Sequence, residues 1–153
     1  MGSFVAINPK VVFFGKTRVA LERDTLPIAN AQTWKTGEFG IFTGGELSVA
    51  ASTEIPTHIF RFDRDTAENS TNVEVDRLSI GVRLEMYCSA AVGIANLRLI
   101  YDLAVSANIH TVDLSATSDK IFRVVKLAAT YEPERNATAD NPGKCIVEIM
   151  KVV

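Results

Sequence analysis

Histidine and cysteine are scarce in this 153-residue chain, with two of each beside a single tryptophan. So few imidazoles and thiols leave little choice of general base, nucleophile or metal ligand. Like charges never run together, and 16 Lys plus Arg stand against 18 Asp plus Glu for a formal net charge of -2. Binding along a nucleic-acid backbone wants a basic stripe, so nucleic acid is excluded as a partner. No apolar stretch has the length of a membrane span, so no membrane partner is expected either. Met1 to Lys10 lack the charged start, apolar run and cleavage site of a secretory signal, which makes a cytosol the expected place of synthesis. In that setting Cys88 and Cys145 are read as buried small apolar side chains rather than a disulfide, and the sequons at Asn69 and Asn136 as chance. The phosphate-cradling loop, the dinucleotide fingerprint, the nucleophile elbow and His-Glu-x-x-His are all missing, so no enzyme class and no cofactor is indicated. No repeat of fixed period appears, nor any low-complexity tract.

What is present has period two. Val, Ile, Phe and Tyr alternate with polar residues between Gly, Asn, Asp and Pro breaks, and 47% of the chain is hydrophobic. The expectation is a mainly β fold: one domain over 1–153, with an N-terminal arm or strand-exchange segment over 1–28 and a small barrel or sandwich over 29–153. The clearest local signal is Gly44-Gly45. Both glycines can take positive φ, so a two-residue type I′ turn sets Thr43 against Glu46, Phe42 against Leu47, Ile41 against Ser48 and Gly40 against Val49. Phe42, Leu47 and Val49 then share one face, with Phe39 and Ile41 on the other, so the hairpin is either sandwiched within the domain or covered by a neighbouring chain. Other strand candidates are 10–14, 17–22, 57–63, 79–87, 97–103, 120–127 and 144–152. In 79–87 the inward set is Ile80, Val82, Leu84 and Met86. In 97–103 it is Leu97, Leu99, Tyr101 and Leu103, with Arg98, Ile100 and Asp102 outward. Segments 64–72 and 131–143 read as solvated loops, 88–96 and the surroundings of Ser106 as short helices, and Glu74 with Asp76 as the wet face of an edge strand.

Each candidate site residue has a plain alternative. His58, in phase with Phe60 and Phe62, reads as a histidine at the edge of the core, and His110 as a surface or interface residue. Asp63-Arg64-Asp65 suggests a calcium loop, but Ala67 and Glu68 stand where a third oxygen ligand and the turn glycine belong, so no metal is expected. Asp113 and Asp119 are read as turn carboxylates. Trp34, in polar company, is either an interface anchor or a plug over a barrel end. Phe4, Val5, Ile7, Val12, Phe13 and Phe14 are too apolar to stay solvated, and Asn8-Pro9 interrupts any continuous strand. Strand addition to a neighbouring subunit or to a partner protein is expected there, with Trp34, Phe39 and Ile41 as further interface residues.

In order, Ala29 to Ala31, the turn Lys35-Thr36-Gly37-Glu38, the strand Phe39 to Phe42, the turn Gly44-Gly45 and Glu46 to Ala51 resemble the head decoration, or cement, proteins of tailed bacteriophages. Ile80 to Tyr87, Tyr101-Asp102-Leu103 and Cys145 to Val152 are similar to the later strands of such modules. The resemblance implies a virion protein, assembled in the host cytoplasm, that forms a homotrimer on the capsid exterior and bridges subunits of the major capsid protein. The alternatives are a tail or neck component, and a ligand-binding barrel in which Trp34, Tyr87 and Tyr101 stack on a sugar.

Overall fold

The computed structural model describes residues 8–12, 21–29, 32–68, 71–128 and 143–152, and of residues 12 and 65–68 the backbone alone. Thirteen strands lie among the described residues. They are β1 (Lys10–Val12), β2 (Arg23–Pro27), β3 (Gln32–Trp34), β4 (Phe39–Thr43), β5 (Glu46–Val49), β6 (His58–Phe60), β7 (Arg64–Glu68), β8 (Asn72–Arg77), β9 (Arg83–Tyr87), β10 (Ile100–Ser106), β11 (Ile109–Asp113), β12 (Phe122–Leu127) and β13 (Lys144–Ile149). The expected β architecture holds.

The strands form two main antiparallel sheets, ordered β2-β8-β6-β4-β5 and β1-β9-β13-β12-β10-β11, with β3 and β7 pairing as a ribbon. Leave β1 aside, and the two sheets have one topology. In each, the first strand in sequence pairs with the fifth, the fifth with the fourth, the fourth with the second and the second with the third. Each also curls until its first and third strands meet through one parallel bridge, Ile28 to Leu47 in the first unit and Cys88 to Val112 in the second. The registers agree throughout. Arg23 pairs with Asp76 as Arg83 pairs with Glu148, and His58 with Arg77 as Phe122 with Ile149. Gly40 pairs with His58 as Tyr101 with Phe122, and Phe42 with Leu47 as Leu103 with Val112. Following these pairs around either unit leads to the equivalent bridge. The described residues therefore form a tandem of two five-stranded units, a repeat of register without a fixed period. The spacing between equivalent residues changes from strand to strand because the connections differ in length, and a search for a fixed period is blind to that.

The unit cores follow from this register. Ile28, Trp34, Leu47, Phe60 and Val75 fill the first unit, with Trp34 stacked on Phe60 at 4.8 Å between centroids. Gly40 makes room: a Cβ there would meet Leu47 Cδ1 and Phe60 Cε2 at 3.1 Å, whereas the second unit carries Tyr101 at the same place. Leu84, Met86, Tyr101, Leu103, Val112, Phe122, Val124 and Val147 belong to the second core. Phe39, Ala50 and Ile59 join this second core from the first unit, and Phe39 stacks on Phe122 at 5.5 Å. The hairpin turns at Gly44 (φ 62°) and Gly45 (φ 85°) in the expected register; Phe39 and Leu47 are buried in the two cores from its opposite faces, while Phe42 stays exposed.

Several expectations change. Trp34 is 6% exposed and Phe39 wholly buried, so these two serve packing within the chain rather than an interface, while Ile41 is half-buried against the second core. Where it is described, segment 64–72 is strand rather than loop, because Arg64–Glu68 pairs with Gln32–Trp34 and Asn72 opens β8. β8 is an interior strand between β2 and β6, so Glu74 and Asp76 do not mark an edge. Of the expected helices, 88–96 yields a 3₁₀ turn at Ile94–Asn96, and Ser106 ends a strand. Ile80 and Leu99 face solvent, since Ile80 lies in a turn at 80–81 and Leu99 follows a turn at 97–98 rather than lying in a strand. Of the strand expected at 17–22, residues 17–20 lie outside the described residues and 21–22 are not strand; β2 begins at Arg23. Most of segment 131–143 lies outside them too, as do Phe4, Val5, Ile7, Phe13 and Phe14.

The described part of the arm is stitched to its own chain. Lys10–Val12, including the backbone of Val12, pairs with Arg83–Glu85. Asn8 Oδ1 accepts from the His110 amide at 2.9 Å. A Cβ on Gly37 (φ +89°) would lie 2.4 Å from the Pro9 carbonyl, so glycine is required where the strap crosses the first unit.

Candidate functional site

The tandem shows where the two units differ in kind. Leu84, Phe122 and Ile149 fill one end of the second core, and the equivalent positions of the first unit are Asp24, His58 and Arg77. Three apolar side chains are replaced by three that form hydrogen bonds. A cleft of about 300 Å³ opens beside them, lined also by Leu26, Phe42, Thr57, Leu78 and Val152.

The hydrogen bonds form a line. The Phe42 amide donates to Thr57 Oγ1 at 2.8 Å, and Thr57 Oγ1 lies 2.7 Å from His58 Nδ1. His58 Nε2 is 2.7 Å from Asp24 Oδ2. With the Thr57 hydroxyl donating to Nδ1, the imidazole proton sits on Nε2 and points at the carboxylate. Arg77 closes the other side: Nε and Nη2 each donate to Asp24 at 3.0 Å, and Nη1 donates to Glu22 at 3.0 Å. The His58 hydrogen bond, with the Arg77 guanidinium behind it, holds the Asp24 carboxyl below its ordinary range against the opposing effect of burial. Hydroxyl, imidazole and carboxylate in a row can pass a proton from the hydroxyl. The lining suits a small ligand with an apolar body and a hydrogen-bonding head.

The sign of the pH dependence follows from Asp24. Its folded-state pKa is depressed, so its contribution is present above the unfolded-state value of about 3.9 and is lost as pH falls through the lower folded value. Asp24→Asn should therefore melt below wild type at neutral pH, with the gap closing below about pH 4. A gap that is constant with pH in thermal melts would contradict this.

The sequence reading named His58, which is 5% exposed at the cleft, but missed Asp24, Thr57 and Arg77. A usable signal was present: Asp24 is in phase with Leu26 and Ile28, and Arg77 with Val73 and Val75, so charges occupy the apolar phase of two strands.

His110 is the larger correction, because it is 0% exposed rather than on the surface. β11 carries it into the junction of the two units, where Nδ1 accepts from the Phe39 amide at 3.1 Å. Nε2 faces Glu38 Oε1 at 3.4 Å without hydrogen-bond geometry. Glu38 is itself 1% exposed, and its Oε2 accepts from the Lys35 amide at 2.5 Å. Asp63 accepts from the Thr36 amide and hydroxyl at 2.7 and 2.8 Å, which holds its carboxyl below the ordinary range and makes it a clamp on the Gly37 turn. Asp113 Oδ1 accepts from the Ser115 amide at 3.0 Å and from its hydroxyl at 2.7 Å. Cys88 and Cys145 are buried free thiols with Sγ atoms 3.4 Å apart, and that contact together with burial pushes the Cys145 thiol well up. Among the described residues no three His, Cys, Asp or Glu converge as a metal site. Tyr87 and Tyr101 are buried in the second unit, away from Trp34 in the first, so no common stacking surface joins the three.

Comparison with protein-family models, curated protein sequences and solved structures returns no match.

Proposed function

We propose that this chain is a structural virion protein: a cement subunit that binds the outer surface of a tailed-phage capsid as a homotrimer and bridges subunits of the major capsid protein. One observation carries the reading. Each unit has its own filled core, yet the chain still turns large apolar side chains outward: Phe62 (59% exposed), Ile80 (62%), Ile94 (81%) and Leu99 (50%). Ile94 and Leu99 stand on a single connection between β9 and β10. Exposed apolar groups on loops held by a rigid β frame suit protein contacts, and the resemblance of the Lys35 to Ala51 segment to cement proteins gives those contacts their partner. A second reading, a ligand-binding barrel, is favoured by the cleft beside Asp24 and His58.

Quantitative mass spectrometry of gradient-purified particles from the source tests the first reading. A copy number equal to that of the major capsid protein, or a simple fraction of it, is expected. A handful of copies would make the chain a tail or neck component, and absence from particles would leave the ligand-binding reading.

A further inference from the structure

The tandem register exposes an asymmetry at the sheet edges. In the second unit the outer edge of β9 is covered by β1, with Lys10 opposite Glu85 and Val12 opposite Arg83. The equivalent residues of the first unit are Arg23 and Thr25 on β2. Glu22 accepts from the Arg77 amide and the Ile28 amide donates to Thr71, so 22, 24, 26 and 28 face β8. The backbone groups of Arg23 and Thr25 therefore point away from it. Both residues are exposed, and no strand among the described residues pairs with this edge.

We infer that the Arg23–Thr25 edge of β2 receives an extended strand from the N-terminal segment, residues 3–7, of a second copy of this chain. The second unit shows the fit, since its equivalent edge takes a strand from the N-terminal region in antiparallel register. The donor suits the place: Ser3-Phe4-Val5-Ala6-Ile7 is uncharged, apolar and free of proline, and it precedes Asn8, which is anchored to the second unit at His110. A donor segment on one part of the chain and an acceptor edge on another make a head-to-tail contact, the kind that closes into a ring such as a trimer. The pairing completes the first unit as β1 completes the second.

The test is the solution mass of the full chain by light scattering after gel filtration. Thr25→Pro removes the outward amide and leaves the β2–β8 ladder intact. Pro27, at the next outward position of the same strand, shows that proline is tolerated there. The expected result is an oligomer for wild type and a monomer for Thr25→Pro, with an unchanged β circular dichroism spectrum. Removal of residues 2–7 retains β1 and should also give a monomer, which keeps the inference testable if Thr25→Pro fails to fold. A monomeric wild type, or an oligomer that survives removal of residues 2–7, would overturn it. No capsid enters this measurement, so its failure is distinct from failure of the particle copy-number test.

Discussion

Asp102→Ala should lower the unfolding free energy by about 3–5 kcal/mol, a large part of the stability of a chain this size. Asp102 is 1% exposed, and its carboxylate collects three backbone donors from one connection: Ser118 N to Oδ2 at 2.9 Å, Asp119 N to Oδ1 at 2.8 Å and Lys120 N to Oδ1 at 2.9 Å. Lys120 is held at a φ of 57°, a conformation that its side chain does not favour, and the carboxylate is what keeps it there. Alanine leaves three part-buried amides without an acceptor, each costing about 1–3 kcal/mol less whatever water recovers. Asp102→Asn keeps one oxygen for Asp119 and Lys120 and turns an amide toward the Ser118 N–H, so its loss should be roughly half as large. Urea unfolding followed by circular dichroism measures both. A wild-type midpoint for Asp102→Ala would show that the 116–120 connection does not depend on this anchor.

Asp102 also shows what alternation can and cannot reveal. Period two placed Tyr101 and Leu103 inward and Asp102 on the opposite face, and the structure keeps those faces. The error lay in equating that face with solvent, because the connection before β12 folds over it. His110 was hidden for the same reason: coverage by another unit leaves no mark on the local pattern. Turn chemistry was legible only where the residue type is selective. Gly44-Gly45 announced its hairpin and register, but the equivalent turn at Ala107 (φ 50°) and Asn108 (φ 64°) places an alanine, which seldom adopts positive φ, beside an asparagine, which does so more readily, and there the strand pairing decides. The tandem was illegible because the two units share register rather than sequence. Equivalent positions hold Gly40 and Tyr101, or His58 and Phe122, which no residue-by-residue comparison would align.

The junction between the units supplies the second large effect. His110→Ala should cost about 3–5 kcal/mol, because it removes a fully buried ring and strips the Phe39 amide of its acceptor. The ring also packs against Phe39 at 5.7 Å between centroids, and Phe39 in turn stacks on Phe122, so one deletion loosens the contact that joins β4 to the second core. His110→Asn separates the contributions. An asparagine oxygen can take the place of Nδ1 and accept from Phe39, while the contact with Glu38 Oε1 is lost, so this variant should recover about 1–2 kcal/mol over alanine. Hydrogen exchange at the Phe39 amide gives the site-specific readout: strong protection in wild type and His110→Asn, and early exchange in His110→Ala. If the first unit depends on this junction, the unfolding of His110→Ala by urea should broaden or split, because the two cores then melt with less mutual support. Full protection of Phe39 in His110→Ala would mean that the Phe39–Phe122 stack alone carries the junction, and would reduce the histidine to a filler of space.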